Sequence, residues 1–205
     1  IILSFPEKKL LAFAPIKTLS IDKFKEQNQK LTDIAIHEYI DGRLMQVFYD
    51  ERILKWQIRS ITNNNETPST DELLFTEATA GNIKKPFYEL AILEYFPKNY
   101  CYTFCLKTQY SLQSSMYLIS IYEIIDNNII KYIPQHEYEK WSSFSNLNGI
   151  ICFPTNENIY ESYGELNEDI QYNYNKKKLV LTNTETGYET TVSTNEYKLF
   201  KQSKS

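Results

Sequence analysis

Glycine is scarce in this sequence, and no Gly-rich loop of the kind that cradles phosphate groups is present. The chain of 205 residues has 5 glycines against 17 tyrosines and 11 phenylalanines. It also lacks a His-Glu-x-x-His and a Gly-x-Ser-x-Gly sequence, which excludes the metalloprotease and hydrolase chemistry that these motifs carry. The excess of tyrosine does not by itself indicate base stacking, because tyrosine more often packs in protein cores.

Long apolar runs and paired cysteines are absent as well. No run approaches the roughly 20 residues of a membrane span, and no signal-peptide pattern is visible. The three cysteines (Cys101, Cys105 and Cys152) are odd in number and lack the spacing of a disulfide framework. A zinc site would need two more soft ligands, and only His37 and His136 could supply them. We therefore expect buried reduced thiols, no metal site in the protein, no membrane contact and a cytoplasmic location.

Positive charge is not in surplus either. The chain has 22 Lys and Arg residues against 26 Asp and Glu residues, for a net charge of −4 and a pI of about 5.4. A protein that binds nucleic acid regardless of sequence normally carries a basic surplus, because neutralising phosphates supplies most of its affinity. The composition therefore does not predict an RNA-binding surface that is basic over the whole protein. A local basic groove is the alternative.

The apolar pattern predicts a single α+β domain over residues 1–205, with mainly antiparallel sheets and flanking helices. The pair Asp41-Gly42 separates two apolar runs, which is a hairpin-turn signal, so residues 34–61 are predicted to form an antiparallel meander. Strands are expected at 1–5, 9–14, 34–40, 44–49, 53–61, 100–106, 116–125, 129–133, 178–182 and 188–193. Helices are expected at 21–29, from Asp71 to Gly81 with Thr70 as its cap, at 86–96, 135–144 and 156–170, and from Asn195.

Three stretches, taken in order, resemble the adenylyltransferase domain of phage-type RNA ligases. The first is KLLAFAPIKTL (9–19) followed by HEYIDGRLMQVFYD (37–50). The second is NYCYTFCLKTQYS (99–111) followed by MYLISIYEII (116–125), and the third is KKLVLTNTETGYETTVSTNEY (177–197). The sequence is still more similar to RNA-ligase-like proteins of large DNA viruses, which implies a viral origin. The resemblance covers nearly the whole chain and implies a nucleotidyltransferase fold.

The resemblance places a tyrosine where these enzymes carry their nucleophile. Family members attack the α-phosphate of ATP with the lysine of a Lys-x-Asp-Gly motif, with magnesium on the phosphates. The matching tetrapeptide here is Tyr39-Ile40-Asp41-Gly42. A phenol has no amine lone pair, so Tyr39 cannot form the phosphoramidate of lysyl-AMP. Without the resemblance, Asp41-Gly42 is better explained as a simple hairpin turn.

Other motif positions also differ in charge or chemistry from the family pattern. An acidic residue of the family falls at Cys105, and the acidic-glycine pair of its fourth motif falls near Lys177-Lys178. The paired lysines of the last motif fall at Thr191 and Ser193. Lost catalysis explains these changes better than a misplaced alignment does.

One basic position of the family is kept at Lys17, which the resemblance implies could contact a nucleotide phosphate. A solvated lysine after a strand is the alternative for Lys17, and the same holds for Lys177 and Lys178. The implied nucleotide-binding residues are Lys17, Asp41, Gly42, Lys177 and Lys178, and no catalytic residue is assigned.

The leading functional hypothesis is a degenerate, catalytically inactive ligase-like domain that binds a nucleotide, an RNA end or a protein partner. The alternative is a divergent ATP-dependent RNA ligase or nucleotidyltransferase that uses another lysine, with ATP and Mg as its cofactors. A structural protein that keeps only the shape is a third hypothesis. Phage-type ligases carry a further domain after the last motif, and we expect this chain to lack it. The chain begins with Ile rather than Met, so a fragment of a longer protein is one alternative.

Overall fold

The computed structural model describes residues 2–3, 9–13, 15, 18–61, 68–80, 87–107, 115–125, 129–145, 147, 149–157, 160–172, 178–194 and 197. The chain divides into two compact units. Unit 1 comprises Ile1–Pro15 and Ile40–Phe153, and unit 2 comprises Ile16–Tyr39 and Pro154–Ser205. Both contain antiparallel sheets and helices, which confirms the predicted α+β class. Whether they act as the predicted single domain stays a prediction. None of the described helices is long and apolar enough to cross a membrane.

The described strands, in chain order, are β1 (Ile2–Leu3), β2 (Leu10–Ala12), β3 (Ile34–Glu38), β4 (Arg43–Asp50), β5 (Lys55–Ser60), β6 (Tyr100–Lys107), β7 (Ser115–Ile125), β8 (Ile129–Ile133), β9 (Ile151–Cys152), β10 (Lys178–Asn183) and β11 (Glu189–Ser193). The described α-helices are α1 (Ile21–Gln27), α2 (Pro68–Ala80), α3 (Gln135–Tyr138), α4 (Ser142–Ser145) and α5 (Tyr163–Tyr172). Two 3₁₀ helices cover Phe87–Glu89 and Ala91–Tyr95.

Unit 1 is built on a six-stranded sheet in which β5, β4, β6, β7 and β8 are antiparallel neighbours and β9 pairs in parallel with β7. Alternate side chains of β4 and β6, such as Val47 and Phe104, point to one face and form the main core with Phe75 of α2. The opposite face carries Phe48 and Cys101, which pack against the β1–β2 hairpin.

Unit 2 is built on a three-stranded antiparallel sheet in the order β11, β10, β3. One face of this sheet packs against helices α1 and α5, through Phe24 of α1 and Leu166 and Ile170 of α5. The edge of β3 that does not face β10 is hydrogen-bonded as well, because Glu38 N donates to Thr155 O over 3.0 Å. Strand β3 is therefore hydrogen-bonded on both edges, which fixes the backbone that leads to Tyr39.

The predicted meander over residues 34–61 is wrong. Strands β4 and β5 do pair, but β3 pairs with β10 and belongs to a different sheet. Asp41-Gly42 is therefore not the turn of a hairpin, and it lies where the chain passes from one sheet to the other. The local pattern identified the strands, but their pairing depends on residues from the far end of the chain.

Several helix boundaries also differ from the prediction. Helix α1 ends at Gln27, and the single helix expected over 135–144 is the two short helices α3 and α4. Helix α2 begins at Pro68, because proline suits the first helical turn, so Thr70 lies inside it. The helix expected over 86–96 is two 3₁₀ helices separated by Leu90, whose backbone is extended. The helix expected from residue 156 begins at Tyr163, because Asn156 forms a β-bridge with His37. The predicted helix from Asn195 falls almost entirely outside the described residues.

Candidate functional site

One face of the three-stranded sheet carries the positions that the resemblance singled out. Along each strand, the side chains on the face opposite α1 and α5 alternate with side chains that point into the core, such as those of Ile36, Leu179 and Leu181. The strand register sets Lys178 opposite Ser193 and His37 opposite Val180. Continuing that register, Tyr39 stands opposite Lys178. We call this side of the sheet the β3–β10–β11 face. Its side chains are Ala35, His37, Tyr39, Lys178, Val180, Thr182, Glu189, Thr191 and Ser193, of which His37 and Thr182 are buried.

Tyr39 and Lys178 are in direct contact on this face. Tyr39 N donates a hydrogen bond to Lys178 O over 3.1 Å, which extends the β3–β10 ladder past Glu38. The Lys178 ammonium lies 3.6 Å from the centroid of the Tyr39 ring. This distance is well within the range of a cation–π interaction. The ring at the expected nucleophile position therefore holds a lysine from the neighbouring strand.

The remaining positions on this face give a neutral or acidic surface around Lys178. Thr191 and Ser193 are half-buried and uncharged, so the paired lysines of the family pattern have no equivalent at these two positions. His37 lies two residues before Tyr39 on the same face and is 7% exposed. Lys178 is thus the cation that the described strands place on the face.

Sequence reasoning missed Glu189 on the same face. It lies opposite Thr182 at the start of β11 and is partly buried. Desolvation raises the pKa of its carboxyl group to about 7, although a hydrogen bond with Thr182 acts in the opposite direction. Because alternate side chains of a strand share a face, the sequence could have placed Glu189 on the same face as Thr191 and Ser193. The burial of Glu189 is visible only in the structure.

The Asp41-Gly42 pair lies in unit 1, packed against strand β6. A Cβ atom at Gly42 would lie 2.8 Å from Cys105 Sγ and would clash with the backbone carbonyl of Leu106. Glycine is therefore required here by the close approach of two chain segments. The Asp41 side chain is exposed to solvent.

Cys105 is the residue that the resemblance predicts at the place of a carboxylate, and its environment keeps it neutral. Its side chain is fully buried, and its thiol donates to Ile40 O over 3.6 Å. Burial, followed by the negative charge of Asp41, raises the pKa of this thiol to about 12. A protonated thiol neither binds a magnesium ion nor accepts hydrogen bonds from a ribose as a carboxylate does.

Two predicted nucleotide-binding residues, Lys17 and Lys177, lie outside the described residues. Of the five predicted positions, the structure describes Asp41 and Gly42 in unit 1 and Lys178 in unit 2. Nucleotide binding by Asp41, Gly42 and Lys178 stays a prediction.

The described residues contain no group of three or more His, Cys, Asp or Glu side chains arranged to hold a metal ion. The side chains in the described ranges thus do not form a metal centre by themselves. Magnesium in nucleotide sites is held mainly by the phosphates, with water and one or two carboxylates.

No protein-family model matches the sequence. No curated protein sequence matches it significantly either.

Solved structures of RNA ligase from Naegleria gruberi are similar to this chain. One, a lysine-to-alanine variant with ATP and Mn, has a TM-score of 0.63 and 14% sequence identity, and covers 96% of this chain and 61% of that chain. An arginine-to-alanine variant with ATP and Mn has a TM-score of 0.61 and 15% identity, with 99% and 62% of the two chains covered. An aspartate-to-alanine variant without ligand has a TM-score of 0.62 and 13% identity, with 96% and 61% covered.

The chain thus spans about three-fifths of the length of these ligase chains. At this low identity the similarity extends to the fold and not to the chemistry. The chain has a mixed α+β, mainly antiparallel fold of the kind found in an RNA ligase.

Proposed function

We propose that this chain is an RNA-ligase-like nucleotidyltransferase domain that binds a nucleotide without forming a covalent intermediate at position 39. The observation that carries the proposal is the contact between Tyr39 and Lys178 on the β3–β10–β11 face. A phenol stands at the position of the nucleophile, while a single ammonium group beside it can still attract a phosphate. ATP is the nucleotide that we propose, with its divalent cation held mainly by the phosphates.

The changes at three further positions favour binding over catalysis. Cys105 is a neutral buried thiol, and Thr191 and Ser193 cannot neutralise the charge that develops on phosphates during transfer. Binding of the ground state requires much less charge compensation than the transition state does. We therefore assign the chain a binding role, with an RNA end or a protein as a further partner.

The second candidate is an active nucleotidyltransferase in which Lys178 supplies the amine. Its neutral nitrogen would attack the α-phosphorus of ATP, a P–N bond would form, the bond to the bridging oxygen would break, and pyrophosphate would leave. The closeness of Lys178 to position 39 favours this candidate. However, a cation over an aromatic ring is stabilised in its charged form, which opposes release of the amine lone pair.

Intact-mass spectrometry separates the two candidates. The chain would be incubated with ATP and either Mg or Mn, and weighed before and after. We expect no AMP adduct on the natural sequence. An adduct that disappears in Lys178→Ala would overturn the binding-only proposal and establish the enzyme.

Thermal unfolding with increasing ATP tests binding itself. A ligand that binds the folded state must raise the melting temperature with concentration. We expect this rise for the natural sequence and a much smaller one for Lys178→Met. Lys25→Met is the matched control, because Lys25 also lies over an aromatic ring of unit 2, 5.0 Å from the Tyr163 centroid. If no nucleotide raises the melting temperature, the chain keeps only the shape of its fold and the proposal fails.

A further inference from the structure

Glu189 is an ionisable group to which the proposed nucleotide site has so far assigned no role. It shares the β3–β10–β11 face with Lys178 but lies at the other end of it, because β10 sets Thr182 opposite Glu189 and Lys178 opposite Ser193. Four residues of β10 separate these two positions, which at about 3.3 Å per residue amounts to roughly 13 Å. The face therefore carries a cation at one end and a carboxyl group at the other.

The backbone on both sides of Glu189 is held by hydrogen bonds. Leu19 N donates to Glu189 O over 2.7 Å, and Thr190 Oγ1 donates to Leu19 O over 3.0 Å. In the turn before β11, the Asn183 side chain accepts a hydrogen bond from the backbone N–H of Glu185 over 3.0 Å. The strand that carries the carboxyl group is therefore fixed before any ligand arrives, which lowers the entropic cost of binding.

The Glu189 carboxyl group has hydrogen-bonding capacity beyond its contact with Thr182. The Thr182 hydroxyl donates to this carboxyl group, and Thr182 itself is buried. Within the described ranges, neither a lysine nor an arginine lies within salt-bridge distance of Glu189. A carboxylate has two oxygens and about four acceptor positions. One hydroxyl donor leaves most of these positions for water or for a ligand.

Between its two ends, the face offers short, uncharged side chains on which a flat ring can lie. Val180 and Thr191 are neighbours across β10 and β11, and both are partly exposed. His37 is buried beside Val180 on β3. Covering the apolar Val180 side chain is favourable, and neither Val180 nor Thr191 carries a charge that would attract a phosphate. This part of the face suits a nucleobase better than it suits the phosphates.

A partly buried carboxyl group restricts what can be placed against it. Desolvation raises the pKa of Glu189 to about 7, so at pH 8 its main form is the carboxylate, which only accepts hydrogen bonds. A ligand that covers this carboxylate removes water from it, which costs free energy unless the ligand donates a hydrogen bond in return. The exocyclic amine of a nucleobase is such a donor, whereas a carbonyl oxygen or an unprotonated ring nitrogen is not.

We propose that Glu189 recognises the base in the proposed nucleotide site by accepting a hydrogen bond from its exocyclic amine. Lys178 attracts the phosphates at the other end of the face, and the base lies over Val180 and Thr191. This assignment rests on the proposed nucleotide binding and adds the residue that determines which base is bound. Adenine carries the required amine, and a purine without it would leave the carboxylate unpaired.

Two nucleotides that differ by one amine test this proposal: ATP and purine riboside 5′-triphosphate, whose base is adenine without its amine. Both would be titrated into the full chain at pH 8 with Mg, with calorimetry as the measurement. We expect ATP to bind about tenfold more tightly, because hydrogen bonds to charged groups are among the stronger ones. Equal affinities would overturn the assignment of Glu189 and leave nucleotide binding intact. Binding of neither nucleotide would overturn the proposed function and this assignment together.

Substitution of Glu189 tests whether this residue causes the preference. Glu189→Ala should bring the ratio of the two affinities to about one, and Glu189→Gln, which keeps an acceptor oxygen, should give an intermediate ratio. Glu185→Gln is the matched control, because Glu185 is an exposed carboxylate in the turn before β11 and its loss removes the same charge. We expect this control to keep the full preference for ATP. A preference retained in Glu189→Ala, or lost equally in Glu185→Gln, would refute the assignment.

Discussion

The Lys178 ammonium lies 3.6 Å from the centroid of the Tyr39 ring, and the backbones of the two residues are joined by a hydrogen bond of 3.1 Å. The contact pairs an aromatic side chain with a cation from the adjacent strand. It also determines what each side chain can do, because the ring stabilises a charged amine beside the expected nucleophile position.

This contact should be measurable as a coupling energy. In a double-mutant cycle of Tyr39→Leu and Lys178→Met, we expect a favourable coupling of about 0.5 to 1 kcal/mol. The free energies of unfolding come from urea denaturation. Tyr39→Phe keeps the ring, so its cycle with Lys178→Met should retain most of the coupling. A coupling lost in Tyr39→Phe would point to the hydroxyl group rather than to the ring.

Replacing Gly42 should be costly even though its side-chain position is exposed. The added Cβ of Gly42→Ala would meet Cys105 Sγ at 2.8 Å and would clash with the Leu106 carbonyl. We expect a loss of about 1 to 3 kcal/mol in the free energy of unfolding. Gly164→Ala is the control, because its nearest contact is 3.5 Å away and it lies in a helix, where alanine is favoured over glycine. Equal stability of the two variants would show that β6 can move away at no cost.

Glu189 should make the stability of the fold depend on pH near neutrality. Desolvation raises its pKa from an ordinary 4.5 to about 7, so the folded state holds this proton more tightly than the unfolded state. The associated stability is fully present below pH 4.5 and is lost as the pH rises to about 7. We expect the unfolding free energy of the natural sequence to fall over this window relative to that of Glu189→Gln. Parallel pH profiles for the two proteins would contradict the burial of the carboxyl group.

The cysteines should differ in their reactivity towards alkylating reagents. Burial raises the pKa of the Cys101 thiol to about 11 and that of Cys105 to about 12, and both side chains are fully buried. Cys152 is only half-buried. Because the thiolate is the reactive form, iodoacetamide at pH 8 should modify Cys152 first in the native protein. Peptide mass spectrometry reads out the order, and early modification of Cys105 would mean that the β6 region opens readily.

The sequence predicted the strands better than it predicted their partners. The apolar runs identified β3 and β4, since alternation is a local property. Their separation into two sheets depends on β10, which pairs with residues 34–38 from the other end of the chain. A turn signal such as Asp41-Gly42 describes the local backbone and contains no information on that distant strand.

The candidate site was predictable only in part for a similar reason. Tyr39, Thr191 and Ser193 followed from the resemblance and the alternation of strands. The raised pKa of Glu189 depends on burial, and the contact between Lys178 and the Tyr39 ring depends on side-chain geometry. Neither property leaves a spacing pattern in the sequence.

The tight packing around Gly42 affects how related chains should be interpreted. Position 42 has room for a hydrogen atom and nothing larger, because two chain segments pack closely there. This requirement is the same whether position 39 carries an amine or a phenol. A search that relies on the Asp-Gly pair would therefore detect this packing and would carry no information on the chemistry at position 39. The chemistry that the resemblance predicts depends instead on the side chain two residues before the aspartate, which is a tyrosine here.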